Sequence, residues 1–332
     1  MQPVKSIRLQ PVMNLSVGPS DTILMEDIQQ KILARDFDFM ELIDLIKLRL
    51  ESYKDKEMQK KIKEIIPNRP PGCNSEQYVK ILLKWFKKDF FSWCNKPKCP
   101  QCGQNDKNIE FLNSDDKPNS EEEKYLTYKI EKYRCINCDK EVKFVRYNKT
   151  IKLLETRTGR CGEWSNLFGG ILYTCGFKTR LIFNYEDHVW DEYYNEDEKR
   201  WIHLDPCEEA YDTPLVYEQG WGRVMTFILG LSEDGLVDVT PRYVKDWKII
   251  SERRSQKNIS KLKAIMEEIN TKMSEGISPE EMKKREERRR NEIESFNEKI
   301  KSDGGNNTYV NDDEKKGRQS GSLEWRKNRG EC

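Results

Sequence analysis

Histidine is scarce in this chain: His188 and His203 are the only two among 332 residues. Imidazole is the side chain whose charge changes between pH 5 and 8, so a general base working near neutrality has two candidates. A surplus of one charge sign is also missing, since 59 Lys and Arg offset 58 Asp and Glu to leave a net +1. Recognition of a nucleic-acid backbone calls for a one-signed basic field, so it is excluded as the main activity. No apolar run approaches the ~18 residues a spanning helix requires, and no membrane insertion is expected. Residues Met1 to Met25 alternate polar and apolar side chains without the apolar block of a secretory signal. A cytoplasmic protein is therefore expected, with the nucleus as a second compartment. Its ten cysteines then read as reduced thiols serving as metal ligands or nucleophile, not as disulfides.

The organisation reads as α+β with five segments: a helical region over 1–94, a metal-binding subdomain over 95–148, a core over 149–250, charged helices over 251–302, and a disordered tail over 303–332. Apolar residues recur at helical spacing from Met25 to Leu50 (Ile28, Ile32, Leu33, Leu42, Ile46, Leu50). Pro67 to Gly72 forbids a helix, and a second helix is expected from Ser75 to Trp93. Another starts at Cys161, with Gly176 fitting the residue that follows a helix end. Strands are expected at Leu181–Phe183, His188–Tyr194, Arg200–Leu204, Thr226–Leu229 and Leu236–Val239. Beyond Ser251, pairs such as Glu280/Lys284 and Glu281/Arg285 at i,i+4 predict solvent-exposed helices, broken near Gly276 to Pro279. The last thirty residues are polar and glycine-containing, and no structure is expected for them.

Cys99-Pro100-Gln101-Cys102 and Cys135-Ile136-Asn137-Cys138 each set two thiolates on a tight turn. Two such pairs supply the four soft ligands of tetrahedral zinc and leave no open coordination position, so the ion expected is structural Zn2+. A redox dithiol or a nucleic-acid-binding ribbon is the rival, and the acidic surroundings disfavour the latter.

Cys161 lies between Gly159 and Gly162 at the start of a helix, whose positive end favours a thiolate. His188 begins one strand and Asp205 ends the next, so an antiparallel pair joined near Asn195 to Glu198 brings them side by side. A nucleophile, a base and an orienting carboxylate result. His203 shares a strand face with Asp205 and is the rival base. Cys175 and Cys207 read as core, while Cys73, Cys94 and Cys332 receive no role.

The stretches Thr158–Trp164, Glu186–Trp190 and Trp201–Glu208 resemble the three core motifs of the transglutaminase-like (papain-like) superfamily, and more narrowly those of the peptide:N-glycanases. Phe90 to Asn95 ahead of the cysteine pairs is similar to that family's zinc-bearing segment, and Gly317 to Ser322 resembles the tail of its compact fungal members. The resemblance implies Cys161 as nucleophile, His188 as base and acid, and Asp205 as orienter. It implies zinc on Cys99, Cys102, Cys135 and Cys138, glycan contact by Glu208, a tryptophan near the oxyanion side at Trp93, and cleft aromatics at Trp190 and Trp221. Release of N-linked glycans from misfolded glycoproteins during their degradation is the implied activity, with a proteasome-shuttle ubiquitin-receptor adaptor docked on the terminal helices. A transglutaminase or a peptidase would use the same three residues, and an inactive scaffold of the kind found in DNA-repair relatives would keep only the fold.

Overall fold

The computed structural model describes residues 35–114, 117–302, 310–327 and 331. The expected helix over Met25–Leu50 lies in part outside them, as do Cys332 and the 303–309 stretch of the tail. Helix α1, Phe39–Ser52, opens on Asp38, whose carboxylate accepts from the amide of Met40, satisfying an otherwise orphaned N–H. Helix α2, Lys56–Ile65, starts in the same way on Asp55. Helix α3, Ser75–Trp85, begins with a reciprocal Asn74–Gln77 capping box. It was expected to reach Trp93 but stops eight residues earlier, loosens into one wide turn over Phe86–Phe90, and gives way to strand β1, Ser92–Trp93. The reason is a tertiary pairing: β1 runs parallel to β5, Thr158–Gly159, with Trp93 opposite Gly159.

Three strands make the metal-binding subdomain: β2, Ile109–Asn113; β3, Thr127–Cys135; and β4, Glu141–Tyr147, in the antiparallel order β2-β3-β4. Charged residues obscured this sheet in the sequence. Its outer face carries Lys132, Arg134, Glu141 and Lys143, while Ile109, Tyr133, Cys135, Val142 and Phe144 form a small buried cluster beside the cysteine pairs.

A short helix α4, Thr150–Thr156, leads to α5, Cys161–Thr174. The core sheet is antiparallel throughout, in the order β11-β10-β6-β7-β8-β9. Its strands are β6, Thr179–Asn184; β7, His188–Asn195; β8, Arg200–Asp205; β9, Ala210–Tyr211; β10, Ile228–Ser232; and β11, Gly235–Asp238. The ends of all five expected strands fall within three residues of these, and the α+β class holds. Leu181, Phe183, Tyr193, Ile202 and Leu204 pack with Phe168, Ile171 and Leu172 of α5 in the main core, whereas Ile182 and Trp190 belong to a second cluster with Tyr217, Trp221 and Tyr243 on the other face. That two-residue alternation is the pleat of a strand. Helix α5 is packed closely enough between Tyr53 and the sheet that a Cβ on Gly169 would lie 2.6 Å from the Tyr53 hydroxyl and 3.0 Å from Asp191 Oδ1 of β7.

The charged region forms two helices, α6, Gln256–Ser274, and α7, Pro279–Ser302, with the break where it was expected. Not all of that charge faces solvent. Glu292 is buried against Arg180 of β6 and Arg242, and Arg288 forks onto Asp234 at 2.7 and 2.9 Å. No helix among the described residues is long and apolar enough to cross a membrane.

The tail departs furthest from expectation. Residues 310–327 are folded onto the core rather than disordered. Glu314 accepts from the amide of Leu215 at 3.1 Å, Glu208 accepts from the amides of Gln319 (2.7 Å) and Ser320 (3.1 Å), and Asn95 accepts from Ser322 at 2.9 Å. Composition pointed to disorder because few apolar residues are present. The segment is held instead by hydrogen bonds to partners more than ninety residues away.

The subdomain and α5 are joined through buried charge. Arg146 of β4 gives Glu163, in the first turn of α5, two bonds of 2.7 Å; the Tyr128 hydroxyl and the Arg160 amide complete the carboxylate's shell at 2.9 and 3.0 Å. Burial would raise the Glu163 pKa, but Arg146 overrides it and holds the acid below its ordinary value. Arg160 reaches back to Glu131 of β3 at 3.0 and 2.8 Å and to the carbonyls of Cys94 and Asn95. Removing one member of a buried pair strands the other charge. Glu163→Gln should therefore lower unfolding stability by about 3–5 kcal/mol, measured by denaturant titration.

Candidate active site

His188 and Asp205 meet as the strand pairing requires. The ring Nε2 lies 2.8 Å from Asp205 Oδ2, and both side chains are almost wholly buried. Asp205 Oδ2 also accepts from the Tyr217 hydroxyl at 3.1 Å, and Oδ1 from the amide of Cys207 at 2.9 Å. A carboxylate only accepts, so the neutral imidazole carries its proton on Nε2. Its Nδ1 has no hydrogen-bond partner among the described residues and is left as a lone pair.

The rival base is eliminated by the same accounting. The amide of Thr213 donates to His203 Nδ1 at 3.2 Å, and Nε2 lies 2.7 Å from the Tyr217 hydroxyl. Because that hydroxyl spends its hydrogen on Asp205, His203 Nε2–H must be the donor. Both ring nitrogens are committed, in a chain running Thr213, His203, Tyr217, Asp205. Sequence reasoning missed Tyr217, which no motif marks.

Cys161 begins α5, half-buried, without an intervening residue between its sulfur and the helix start. Two contacts fix its level against β7. Gly169 faces Asp191, and one turn earlier the Ser165 hydroxyl bonds the Trp190 carbonyl and Asp191, both at 3.1 Å. Cys161 lies one further turn toward the N-terminus, about 6 Å along the axis at 1.5 Å per residue. Cys161, His188 and Asp205 each feel the Arg318 guanidinium, and Cys207 feels both Cys161 and Asp205.

Burial pushes the Cys161 thiol up, with Arg318 and Arg146 pulling against it; burial pushes His188 well below its ordinary value, with Arg318 and Arg223 adding to the effect. Both shifts favour the neutral forms, a thiol on Cys161 and an imidazole on His188. Asp205 is raised by burial against the opposing effects of His203 and Arg318.

The aromatic residues divide. Trp190 is fully buried, stacked 4.1 Å from Tyr217, and Trp221 is 2% exposed with its ring 5.0 Å from His188. Both wall in the imidazole and present no open face. Trp93 is half-buried, its ring N–H bonded to Asn95 at 3.1 Å. Glu208 stands beside the triad with its carboxylate engaged by the tail. Cys175 is half-buried and Cys207 buried, and both pack against the main core, whereas Cys94 sits beside the cysteine pairs.

The sulfurs of Cys99, Cys102, Cys135 and Cys138 all lie within 4.8 Å of one another, with neighbours 3.4, 3.5 and 3.6 Å apart. Four thiolates around a tetrahedral ion at 2.3 Å would stand about 3.8 Å apart, so this cluster can hold a metal ion.

A thiol at a helix N-terminus, an imidazole and a carboxylate on adjacent strands define a cysteine hydrolase of the transglutaminase-like fold. The transglutaminase-like superfamily model matches residues 110–206, and that of the Rad4 transglutaminase-like domain matches 184–297. Two Rad4–Rad23 crystal structures, one bound to a 6-4 photoproduct UV lesion and one crosslinked to undamaged DNA, share the fold at TM-scores of 0.50 and 0.51. Sequence identity is 13% in both; 87% of this chain is covered, against 61% and 60% of those chains. Sequence relatives are far nearer. The peptide-N(4)-(N-acetyl-beta-glucosaminyl)asparagine amidase of Yarrowia lipolytica is 42% identical over 75% of this chain and 67% of its own length. Those of Kluyveromyces lactis and Saccharomyces cerevisiae are 41% and 39% identical, over 81% and 77% of this chain and 74% and 70% of theirs. The chain belongs to the peptide-N(4)-(N-acetyl-beta-glucosaminyl)asparagine amidases.

The buried His203 has its pKa lowered from 6.5 to about 4, first by burial. A histidine that stays neutral when folded is a site where the unfolded chain takes up the proton first, so it contributes a loss of stability as pH falls through 6.5 toward 4. Relative to His203→Gln, the wild-type chain should lose about 2 kcal/mol of unfolding free energy between pH 7 and pH 5, measured by urea titration at each pH.

Proposed function

We propose that the chain releases N-linked glycans from glycoproteins by attack of Cys161 on the side-chain amide of the glycosylated asparagine, with His188 and Asp205 completing the triad. The observation carrying this reading is the unpartnered lone pair on His188 Nδ1, left over when Nε2 bonds Asp205. His188 takes the thiol proton as sulfur bonds to the carbonyl carbon. It then gives that proton to the departing nitrogen, and the glycan leaves as a glycosylamine. Water, deprotonated by the same nitrogen, hydrolyses the thioester and leaves aspartate in the peptide. Asp205 holds the tautomer and stabilises the imidazolium that forms transiently.

Trp93 is the half-buried aromatic suited to an apolar sugar face, and Glu208 borders the same mouth. Zinc on the four cysteines is structural and holds β3 and β4, whose Glu131 and Arg146 fix the start of α5. A cytoplasmic setting, in which retrotranslocated misfolded glycoproteins are cleared, fits unpaired thiols and the absence of any spanning helix among the described residues. The adaptor expected on the terminal helices has a candidate surface on α7, where exposed Ile293 lies beside Glu286, Arg289, Arg290 and Glu294. A transglutaminase reading is disfavoured by the nature of the near relatives.

Cys161→Ala should keep the wild-type melting temperature and abolish glycan release from a denatured glycoprotein. Asp205→Asn should lower kcat by about 10³–10⁴-fold through the wrong tautomer. Mass analysis of the peptide product separates the readings: aspartate at the former glycosylation site supports amidase chemistry, and incorporation of an added amine supports transfer. A strong chelator should strip zinc from the chain, measured by elemental analysis, with glycan release falling in parallel and returning on zinc addition. Activity that persists in fully zinc-free protein would remove the metal from the account.

A further inference from the structure

The described chain ends in a segment folded against the triad, and its charge is out of place for a structural strap. Arg318 is 1% exposed, although arginine is seldom fully buried without complete pairing. Its guanidinium lies 5.3 Å from the Trp93 ring, 4.7 Å from Trp221 and 4.5 Å from Trp325, in a cage of three aromatic faces that suits a cation. Two of its nitrogens are satisfied: Nη1 bonds Glu331 at 2.9 Å and Nε bonds the Ser320 hydroxyl at 3.0 Å. The third, Nη2, is buried with no partner. An unmade hydrogen bond on a buried guanidinium is costly and points to a group that arrives later.

Its position identifies the group. Trp221 touches both Arg318 and His188, its ring 4.7 Å from the guanidinium and 5.0 Å from the imidazole, and the guanidinium is close enough to Cys161, His188, Asp205 and Cys207 to bias their charge. Its placement depends on residues the triad does not use. Glu208 clamps the amides of Gln319 and Ser320, Asn95 clamps Ser322, and Glu331 is shared between Arg318 and Arg223. Gly321 turns the chain at φ +92°, where a Cβ would lie 2.6 Å from Trp325. This turn serves to hold one side chain.

We propose that Arg318 is a catalytic residue, its Nη2 donating a hydrogen bond to the substrate carbonyl oxygen as that oxygen becomes negative on attack by Cys161, and that Glu208 positions it. This rests on the amidase reading above. No proton moves to or from Arg318. The sulfur–carbon bond forms as the carbonyl π pair goes to oxygen, the guanidinium stabilises that oxyanion, and the pair returns when the carbon–nitrogen bond breaks and His188 protonates the amine. Before attack, the same cation favours the thiolate. The charged and titratable groups around the site are Glu163 on α5, Arg146 on β4, Asp187 just before β7 and His188 at its start, Asp205 at the end of β8 and Glu208 beyond it, and Arg318 with Glu331 from the tail.

The test uses the full chain with Arg318→Met and Arg318→Lys, measuring glycan release from a denatured glycoprotein and, separately, the pH dependence of iodoacetamide labelling at Cys161 by mass spectrometry. Arg318→Met should lower kcat by about 10²–10³-fold, as loss of an oxyanion donor does. It should change KM little and move the labelling midpoint up by about one pH unit. Arg318→Lys should restore the midpoint but only part of kcat, since charge returns without the fork. A merely structural role predicts loss of melting temperature or KM with the midpoint unmoved, and that result overturns the proposal, as does a kcat within threefold of wild type in Arg318→Met. If Arg318→Met melts early, the Lys variant decides: wild-type kcat in Arg318→Lys counts against the donor role. Failure of the wild-type chain to release glycan would defeat the amidase reading instead, while the labelling series would still show whether Arg318 acts on the thiol.

Discussion

The arrangement of this enzyme depends on two ion pairs that cross from the β3–β4 hairpin to the start of α5, Arg146 with Glu163 and Arg160 with Glu131. Glu163 and Arg160 flank Cys161 within two residues, so whatever holds them fixes where the sulfur stands. Their partners lie on β4 and β3, a hairpin with a core too small to be stable alone; a metal ion among the four cysteines would supply what that core lacks. The ion pairs contribute direction more than stability, because desolvation offsets most of their attraction. Four charges must find their counterparts together, and one register of hairpin against helix satisfies all of them. The parallel contact of Trp93 with Gly159 adds a backbone constraint at the same point. A metal ion remote from the chemistry would thus set the angle at which a nucleophile is presented.

Much of this was legible because the triad is written in strand periodicity. His188 and Asp205 stand at corresponding ends of two strands joined by a short polar turn, and an antiparallel ladder brings them side by side without long-range information. The start of α5 was visible from glycine placement, and the metal cluster from cysteine spacing. What could not be read was the part decided by distant partners. Helix α3 stops at Trp85 because Trp93 is needed in an extended pairing with a segment sixty-five residues downstream. The choice between His188 and His203 was made in the sequence on neighbouring residue types, whereas in the molecule it is made by Tyr217, whose hydroxyl ties His203 to Asp205. Composition failed for the tail because its order comes from Glu208, Asn95 and Glu314, three polar residues at scattered positions, and not from an apolar face.

Glu208 connects the two ways of reading the site. Resemblance gave it a role in holding the glycan; the structure has its carboxylate accepting two amides of the tail. A carboxylate has about four lone-pair positions, so two remain to receive sugar hydroxyls. One residue can therefore hold the tail turn in place and face substrate, and its loss would affect both.

Charge in the site is arranged to be absent until substrate is present. Thiol and imidazole are both shifted toward their neutral forms by burial, so little thiolate stands exposed to stray oxidants or metals. Two forces work in the opposite direction, the N-terminus of α5 and the arginines around it, and neither is enough to ionise the sulfur at rest. In the proposed attack, negative charge would pass from sulfur to a carbonyl oxygen while the proton is held on His188. An imidazolium whose pKa has been depressed is a stronger acid than free histidine, which is what a poor leaving group such as an amide nitrogen demands. In the proposed mechanism, the burial that would make His188 a weak base for the thiol is the same burial that would make it an effective acid for bond cleavage, and the aromatic walls of Trp190, Tyr217 and Trp221 supply that burial.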